Sequence, residues 1–412
     1  MPTAPYRFSL SELNLPTNER QIVALARNDV LEAQRIVASD GIDVEVVHAL
    51  SERHKMTPLV FKRLADLTLP ETIAPRIRSI AQRAVIGAMA VNMEVRREIR
   101  ILADVLGKAG VDFLLLKGPA VTKDPLRRFN DLDILIHEDA LPEAVRALER
   151  AGYRYRGSNV LNQRERESPF QSASWNNQFP YQSPRSRLCV EVHTNLFERD
   201  RIRLESLGRL LDDVGLFWER HTRDDELGCS VPARECTLAL LCVHSALKRS
   251  PAHNTYVLRH AYDIVQLLAK DTDLDRLVEL CGSWGIEYYA CVALRLAEGL
   301  FDSPKARLVI DRLEPALTPR QARLADIHLR CFRGLGDAAL GHRYRYALLM
   351  PLAIGGGGRK SMRWYREILL PPRWSQETRH GVSRNSVAIA LTYLYGPFVR
   401  LVRVWRRQME RK

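Results

Sequence analysis

Asp131-Leu132-Asp133-Ile134-Leu135-Ile136 is the stretch on which the reading of this chain turns. It is short, ends in an uninterrupted aliphatic run, and is flanked by the polar segments Arg127-Arg128 and His137-Glu138-Asp139. That pattern predicts a buried β-strand bounded by turns. Side chains alternate along a strand, so Asp131 and Asp133 share one face, roughly 7 Å apart along the backbone. Carboxylates on a buried strand are costly unless something neutralises them. A divalent cation does so, and hard oxygen donors select Mg²⁺ or Mn²⁺.

Upstream, the apolar run Phe113-Leu114-Leu115-Leu116 enters Lys117-Gly118-Pro119, which reads as a strand followed by a turn into a helix. Gly118 allows backbone to come close to a phosphate at such a turn. Lys117, Arg127 and Arg128 are the cations expected to steady a triphosphate. Downstream, Asp139 is expected to cap a helix over Leu141–Ala151 that Gly152 ends. Segment 157–186 is polar and rich in Asn, Gln, Ser and Pro, so a long loop is expected there. Leu188–Leu196 reads as a third strand, with Val190 and Val192 on one face and Glu191 and His193 on the other. Glu191 then supplies a third carboxylate, enough for two metals about 3.5–4 Å apart that stabilise the attacking and leaving oxygens of an in-line displacement at phosphorus. His193 is left between contacting substrate and a structural role at the strand end.

Together these residues resemble a known superfamily. A hydrophobic residue and Gly118, then Asp131-x-Asp133 on a strand, then a later strand carboxylate are similar to the signature of polymerase-β-like nucleotidyltransferases. The longer string is similar to a bacterial family of uncharacterised nucleotidyltransferases within that superfamily. It comprises Leu116-Lys117-Gly118-Pro119-Ala120, Arg127, Asp131 to Leu135, Gly152-Tyr153 and Val190-Glu191-Val192-His193. The likeness reaches Asn92, Glu98, Ile99 and Leu102, then Cys242-Val243-His244 and Arg259-His260-Ala261-Tyr262-Asp263-Ile264, spanning residues 90–270. The resemblance implies transfer of a nucleoside monophosphate from an NTP with divalent metal. Asp131, Asp133 and Glu191 would be the metal-binding and catalytic carboxylates, and Gly118 would mark the phosphate turn. The acceptor is an open class: small molecule, glycan or peptide. Pro119 departs from the Ser or Gly usual after that glycine and removes an N–H from the turn. For His244 and Asp263, packing or supporting hydrogen bonds are expected.

The rest of the sequence frames this core. The expected class is α+β, a small mixed sheet over 111–200 between helical regions at 1–110 and 201–340. Asn18 with Gln21 suggests a capping box. Val91, Val95, Ile99, Leu102 and Leu106 give one apolar stripe of a helix over Ile86–Leu106, with Gly107 and Gly110 as stop signals. Thr318-Pro319 reads as a helix start. Of 412 residues, 46% are apolar and 27% charged, which excludes a wholly disordered or collagen-like chain. The seven cysteines show no C-x-x-C spacing, so reduced thiols in a cytoplasmic protein are expected rather than a disulfide framework.

The formal charge is +13, yet residues 341–412 hold 15 Lys/Arg against three acids, so the body is almost neutral. That distribution makes nucleic acid the weaker expectation and points to a basic docking tail behind the Gly355–Gly358 hinge. Ser386–Val399 carries no charge and precedes Arg400, Arg403, Arg406 and Arg407. Residues 386–412 could therefore lie on an anionic membrane surface at the inner face, hold an anionic acceptor, or pack on the core. A non-catalytic scaffold that binds a nucleotide or polyanion is the alternative function.

Overall fold

The computed structural model describes residues 15–156, 178–196, 214–247 and 257–330. The expectations for the basic tail at 341–412, the glycine hinge, Cys331 and most of the 157–186 loop lie outside those residues.

Four short helices open the chain: α1 (Thr17–Arg27), α2 (Val30–Asp40), α3 (Val44–Arg53) and α4 (Thr57–Ala65). Asn18 and Gln21 form no capping box. The cap position falls two residues earlier, at Pro16, whose carbonyl accepts from the Glu19 and Arg20 amides, while Gln21 is buried. A 34-residue helix, α5 (Ala74–Gly107), follows. It is longer at its start than its apolar stripe suggested, because its first half packs on the N-terminal helices through Ile77, Ile80 and Ala81. Its second half packs on the sheet through Val95, Ile99, Leu102 and Leu106. At a rise of about 1.5 Å per residue, one rod of about 50 Å thus joins two cores.

The strands are β1 (Phe113–Leu115), β2 (Asp131–Ile136), β3 (Arg154–Tyr155), β4 (Gln178–Gln182), β5 (Cys189–His193), β6 (His221–Asp224) and β7 (Cys229–Pro232). They form one seven-stranded sheet in the order β3-β4-β5-β2-β1-β7-β6. The sheet is mixed: β2 runs parallel to β5 and antiparallel to β1, and β1 runs parallel to β7. The α+β class expected from the sequence is therefore the class observed. β6 and β7 extend the sheet with residues beyond 200.

β4 falls inside the stretch read as loop. Phe179 and Tyr181 are buried on one face, while Gln178, Pro180 and Gln182 alternate with them. The polar alternation hid the strand. Its proline is tolerated because the Pro180 carbonyl accepts from the Arg156 amide, so its nitrogen faces the side where the β3 pairing has run out and no ladder bond needs a donor. α6 (Leu141–Arg150) follows β2, but Asp139 does not cap it. A 3₁₀ turn at Glu138–Ala140 runs straight into the helix, and no side chain caps its start. Gly152, at φ +88°, closes the helix as expected, with the Tyr153 amide donating to the Leu148 carbonyl.

After α7 (Gly215–Glu219) and β6–β7 come α8 (Arg234–Leu247), α9 (Val257–Ala269), α10 (Leu274–Trp284), α11 (Glu287–Phe301), α12 (Pro304–Leu313) and α13 (Pro319–Arg330). The last begins as read: Thr318 Oγ1 accepts from the Gln321 amide, and Pro319 takes the first helical position. The six described cysteines are free. Burial pushes the thiols of Cys242, Cys281 and Cys291 up, so they sit protonated in the helical core. Among the described residues no helix is long and apolar enough to cross a membrane.

The pleat of the central strands decides where the site falls. Leu115, Leu132, Ile134, Ile136, Val190 and Val192 point into the core beneath α5 and α6. Leu114, Leu116 and Leu135 point to the other side, into the large helical core. Asp131, Asp133, Glu191 and His193 share that second face, at the edge of the helical body.

Candidate active site

Register brings the carboxylates together. In the parallel pair of β2 and β5, Asp131 stands opposite Cys189, Asp133 opposite Glu191 and Leu135 opposite His193. Residues two apart on one strand lie on one face. Asp133 therefore has Glu191 beside it and His193 one step along. His193 Nε2 lies 3.1 Å from Asp133 Oδ1 and 3.9 Å from Glu191 Oε2. One oxygen or nitrogen from each of Asp133, Glu191 and His193 lies within 4.8 Å of the other two.

Lys117 completes the electrostatics. The Leu116 amide donates to the Asp133 carbonyl over 2.9 Å, carrying the β1–β2 pairing one residue past β1. That sets Lys117 beside Asp133, and its Nζ donates to Asp133 Oδ1 over 3.0 Å. Burial by itself would push the Asp133 carboxyl up. The Lys117 ammonium and the His193 ring outweigh it and hold the carboxyl well below the usual range. The Asp133 oxygens are thus built to face positive charge. Two carboxylates, an imidazole and an ammonium already seated on one carboxylate oxygen fit a divalent cation at Asp133, Glu191 and His193.

Gly118 has φ +70° and opens a 3₁₀ turn, Gly118–Ala120, with Pro119 buried inside it. A side chain here would meet Phe129 Cδ1 at 3.5 Å, an ordinary contact, so the demand for glycine comes from the backbone. Gly118→Ala should cost about 1–2 kcal/mol of folding stability, the penalty of a left-handed L-residue. Urea denaturation would measure it, and an unchanged midpoint would mean that the turn relaxes.

The remaining expected site residues are placed as follows. Asp131 is half-buried on the same face but lies outside the tight donor group of Asp133, Glu191 and His193. Arg128 is exposed on the loop before β2. Arg127, expected at the phosphates, is turned inward and is 5% exposed. Its Nε and Nη2 donate to Asp263 Oδ1 and Oδ2 over 2.9 and 2.5 Å, and Nη1 donates to the Arg128 carbonyl. Other family-like residues hold the same loop. Asn92 of α5 donates to the Pro125 and Arg127 carbonyls, and the Tyr262 hydroxyl donates to Asp124. Tyr153 donates to Glu98 over 2.5 Å, tying α5 to the chain after α6.

The sequence reading left His193 undecided. The signal was present: Glu191-x-His193 repeats on β5 the alternation of Asp131-x-Asp133 on β2. It also gave no role to Lys55, which lies against Asn130.

A family model described as an uncharacterised nucleotidyltransferase matches residues 40–302, which includes every residue of this site. No match was found among curated proteins or among solved structures.

Proposed function

Since the chain belongs to the uncharacterised nucleotidyltransferase family, we propose that it moves a nucleoside monophosphate from an NTP to a hydroxyl or phosphate of an acceptor, releasing pyrophosphate. The observation that supports this most is the convergence of Asp133, Glu191 and His193 beside Lys117. In this reading Asp133, Glu191 and His193 hold a divalent cation, and Asp131 stands by for a second. The cation, when bound, supplies Lewis-acid stabilisation of the charge that develops on the transferring phosphate. Glu191, the more exposed carboxylate, takes the proton of an acceptor hydroxyl. Lys117, beside both Asp133 and the Gly118 turn, would offer its charge to the phosphates. Arg127 positions the loop from within, through Asp263.

Imidazole is a softer donor than carboxylate or water and favours later divalent metals over Mg²⁺. The site should therefore bind Mn²⁺ more tightly than Mg²⁺. His193→Asn should weaken Mn²⁺ about tenfold and Mg²⁺ less, narrowing the gap. Calorimetric titration of both ions checks this, and an equal loss for both would remove His193 from the donor set.

The transfer itself is tested with the four NTPs, α-labelled, in the presence of Mn²⁺ or Mg²⁺ and lysate-derived acceptors. Label should move to an acceptor with release of pyrophosphate, and Asp131→Asn combined with Asp133→Asn should stop both. Equal turnover in that double variant would sink the site. Pro119, which leaves the turn one N–H short, favours a second reading, a scaffold that binds nucleotide without turning it over. Binding without pyrophosphate release would select it.

A further inference from the structure

Lys55 has left-handed backbone, φ +53°, immediately after α3. The Met56 amide donates to the Ser51 carbonyl there, the wrap that ends helices at a position normally given to glycine or asparagine. A lysine at such a position carries backbone strain. Strain of this kind persists where the surroundings hold it in place, and it clusters at functional sites.

The strained backbone delivers the ammonium to the start of β2. With the Asn130 amide turned so that its oxygen faces Lys55, Nζ donates to Asn130 Oδ1 over 2.6 Å, one residue before Asp131. Arg128 lies two residues before Asn130 on the same loop. Arg259 comes from a third element. It stands four residues before Asp263 on α9, hence on the same face one turn away. The Arg127–Asp263 pair clamps that face to the loop, and Arg259 and Arg128 are both close enough to Lys55 for their charges to act on it. The charges acting on Lys55 are mostly its own sign. Burial and the Arg259, Arg127 and Arg128 guanidiniums lower its proton affinity, and Asp131 opposes them. An anion placed among these groups would relieve both the repulsion and the lost hydration.

We propose that Lys55, Arg128 and Arg259 form a seat for the phosphate tail of the NTP, built by the N-terminal helices and α9 around the mouth of the carboxylate site. This deepens the nucleotidyltransferase reading and rests on it for the identity of the anion. The seat lies at the Asp131 end of β2, and the Asp133 donor group lies further along the strand. It would hold the β- and γ-phosphates that leave as pyrophosphate, while the α-phosphate faces the carboxylates.

Calorimetry on the full chain without divalent metal tests the seat, using tripolyphosphate, ATP and AMP as probes. Lys55→Gln and Arg259→Gln should each weaken tripolyphosphate and ATP about tenfold and leave AMP unchanged. Lys55→Gly guards against a folding artefact, because glycine accepts the left-handed backbone. It should keep or raise the thermal midpoint and still lose the affinity. Unchanged affinity in these variants, or an equal loss for AMP, overturns the proposal. Loss for tripolyphosphate with ATP unaffected also overturns it and assigns the cations to a phosphate of the acceptor. Absence of pyrophosphate release from the unaltered chain would refute nucleotidyl transfer and leave the seat standing, since these titrations read binding alone.

Discussion

Asp133→Asn should abolish divalent-cation binding at the proposed site and destabilise the fold by about 3–5 kcal/mol, the range for removing one partner of a buried ion pair. Asp133 is 7% exposed and holds Lys117 Nζ at 3.0 Å and His193 Nε2 at 3.1 Å. Asparagine still accepts a hydrogen bond from Lys117, which sets the loss nearer the lower end. It offers no charge against the partly buried Lys117 ammonium or an incoming cation. Mn²⁺ binding and pyrophosphate release should both fall to background. The pH dependence carries a sign of its own. The Asp133 carboxyl is held well below its ordinary value in the folded chain, so it contributes stability above the unfolded value near 4. That contribution is lost as pH falls through the folded value. The gap in urea midpoint between the native chain and Asp133→Asn should thus be constant above about pH 5 and close in stronger acid. Retained Mn²⁺ affinity would show that the cation is held elsewhere.

What was legible before any coordinates follows from local periodicity. Alternation along residues 131–136 put two carboxylates on one face, and Gly118 announced a close turn, which the structure builds at φ +70°. Both properties depend on neighbours only a few residues away. The structure adds what depends on pairing. Whether Glu191 stands opposite Asp131 or Asp133 is a matter of register between strands joined by a long connection, and a slip of two that set Glu191 opposite Asp131 would have put His193 opposite Asp133 instead. β4 escaped because glutamines and a proline alternate with Phe179 and Tyr181, which makes its average composition that of a loop. Lys55 gave no signal, since a lysine after a helix is ordinary and only the backbone shows the strain.

Arg127 shows the same limit most sharply, because its chemistry belongs to a partner 136 residues away. By residue type it reads as a phosphate ligand. By placement it is a staple between the loop that carries Arg128 and the helix that carries Arg259. Both members of the pair are nearly inaccessible, at 5% and 4% side-chain exposure, and the contact is two-pronged. Truncating either one leaves a buried charge without its counter-ion, so Arg127→Ala or Asp263→Ala should each cost about 3–5 kcal/mol. The double variant Arg127→Met with Asp263→Leu should lose much less than the sum, because apolar replacement of both partners is often close to neutral. Urea denaturation of the native chain, Arg127→Met, Asp263→Leu and the double variant gives the coupling directly. The two roles separate in the double variant. If Arg127 acts through the fold, the double variant regains stability and binds tripolyphosphate more weakly only so far as Arg128 and Arg259 lose their alignment, an effect that Arg127→Lys with Asp263→Glu should lessen. If Arg127 grips phosphate itself, every loss of its guanidinium, including Arg127→Lys, removes the same affinity whatever the stability. A stable double variant with full tripolyphosphate affinity would show that the clamp serves the fold alone and that Arg259 keeps its place without it.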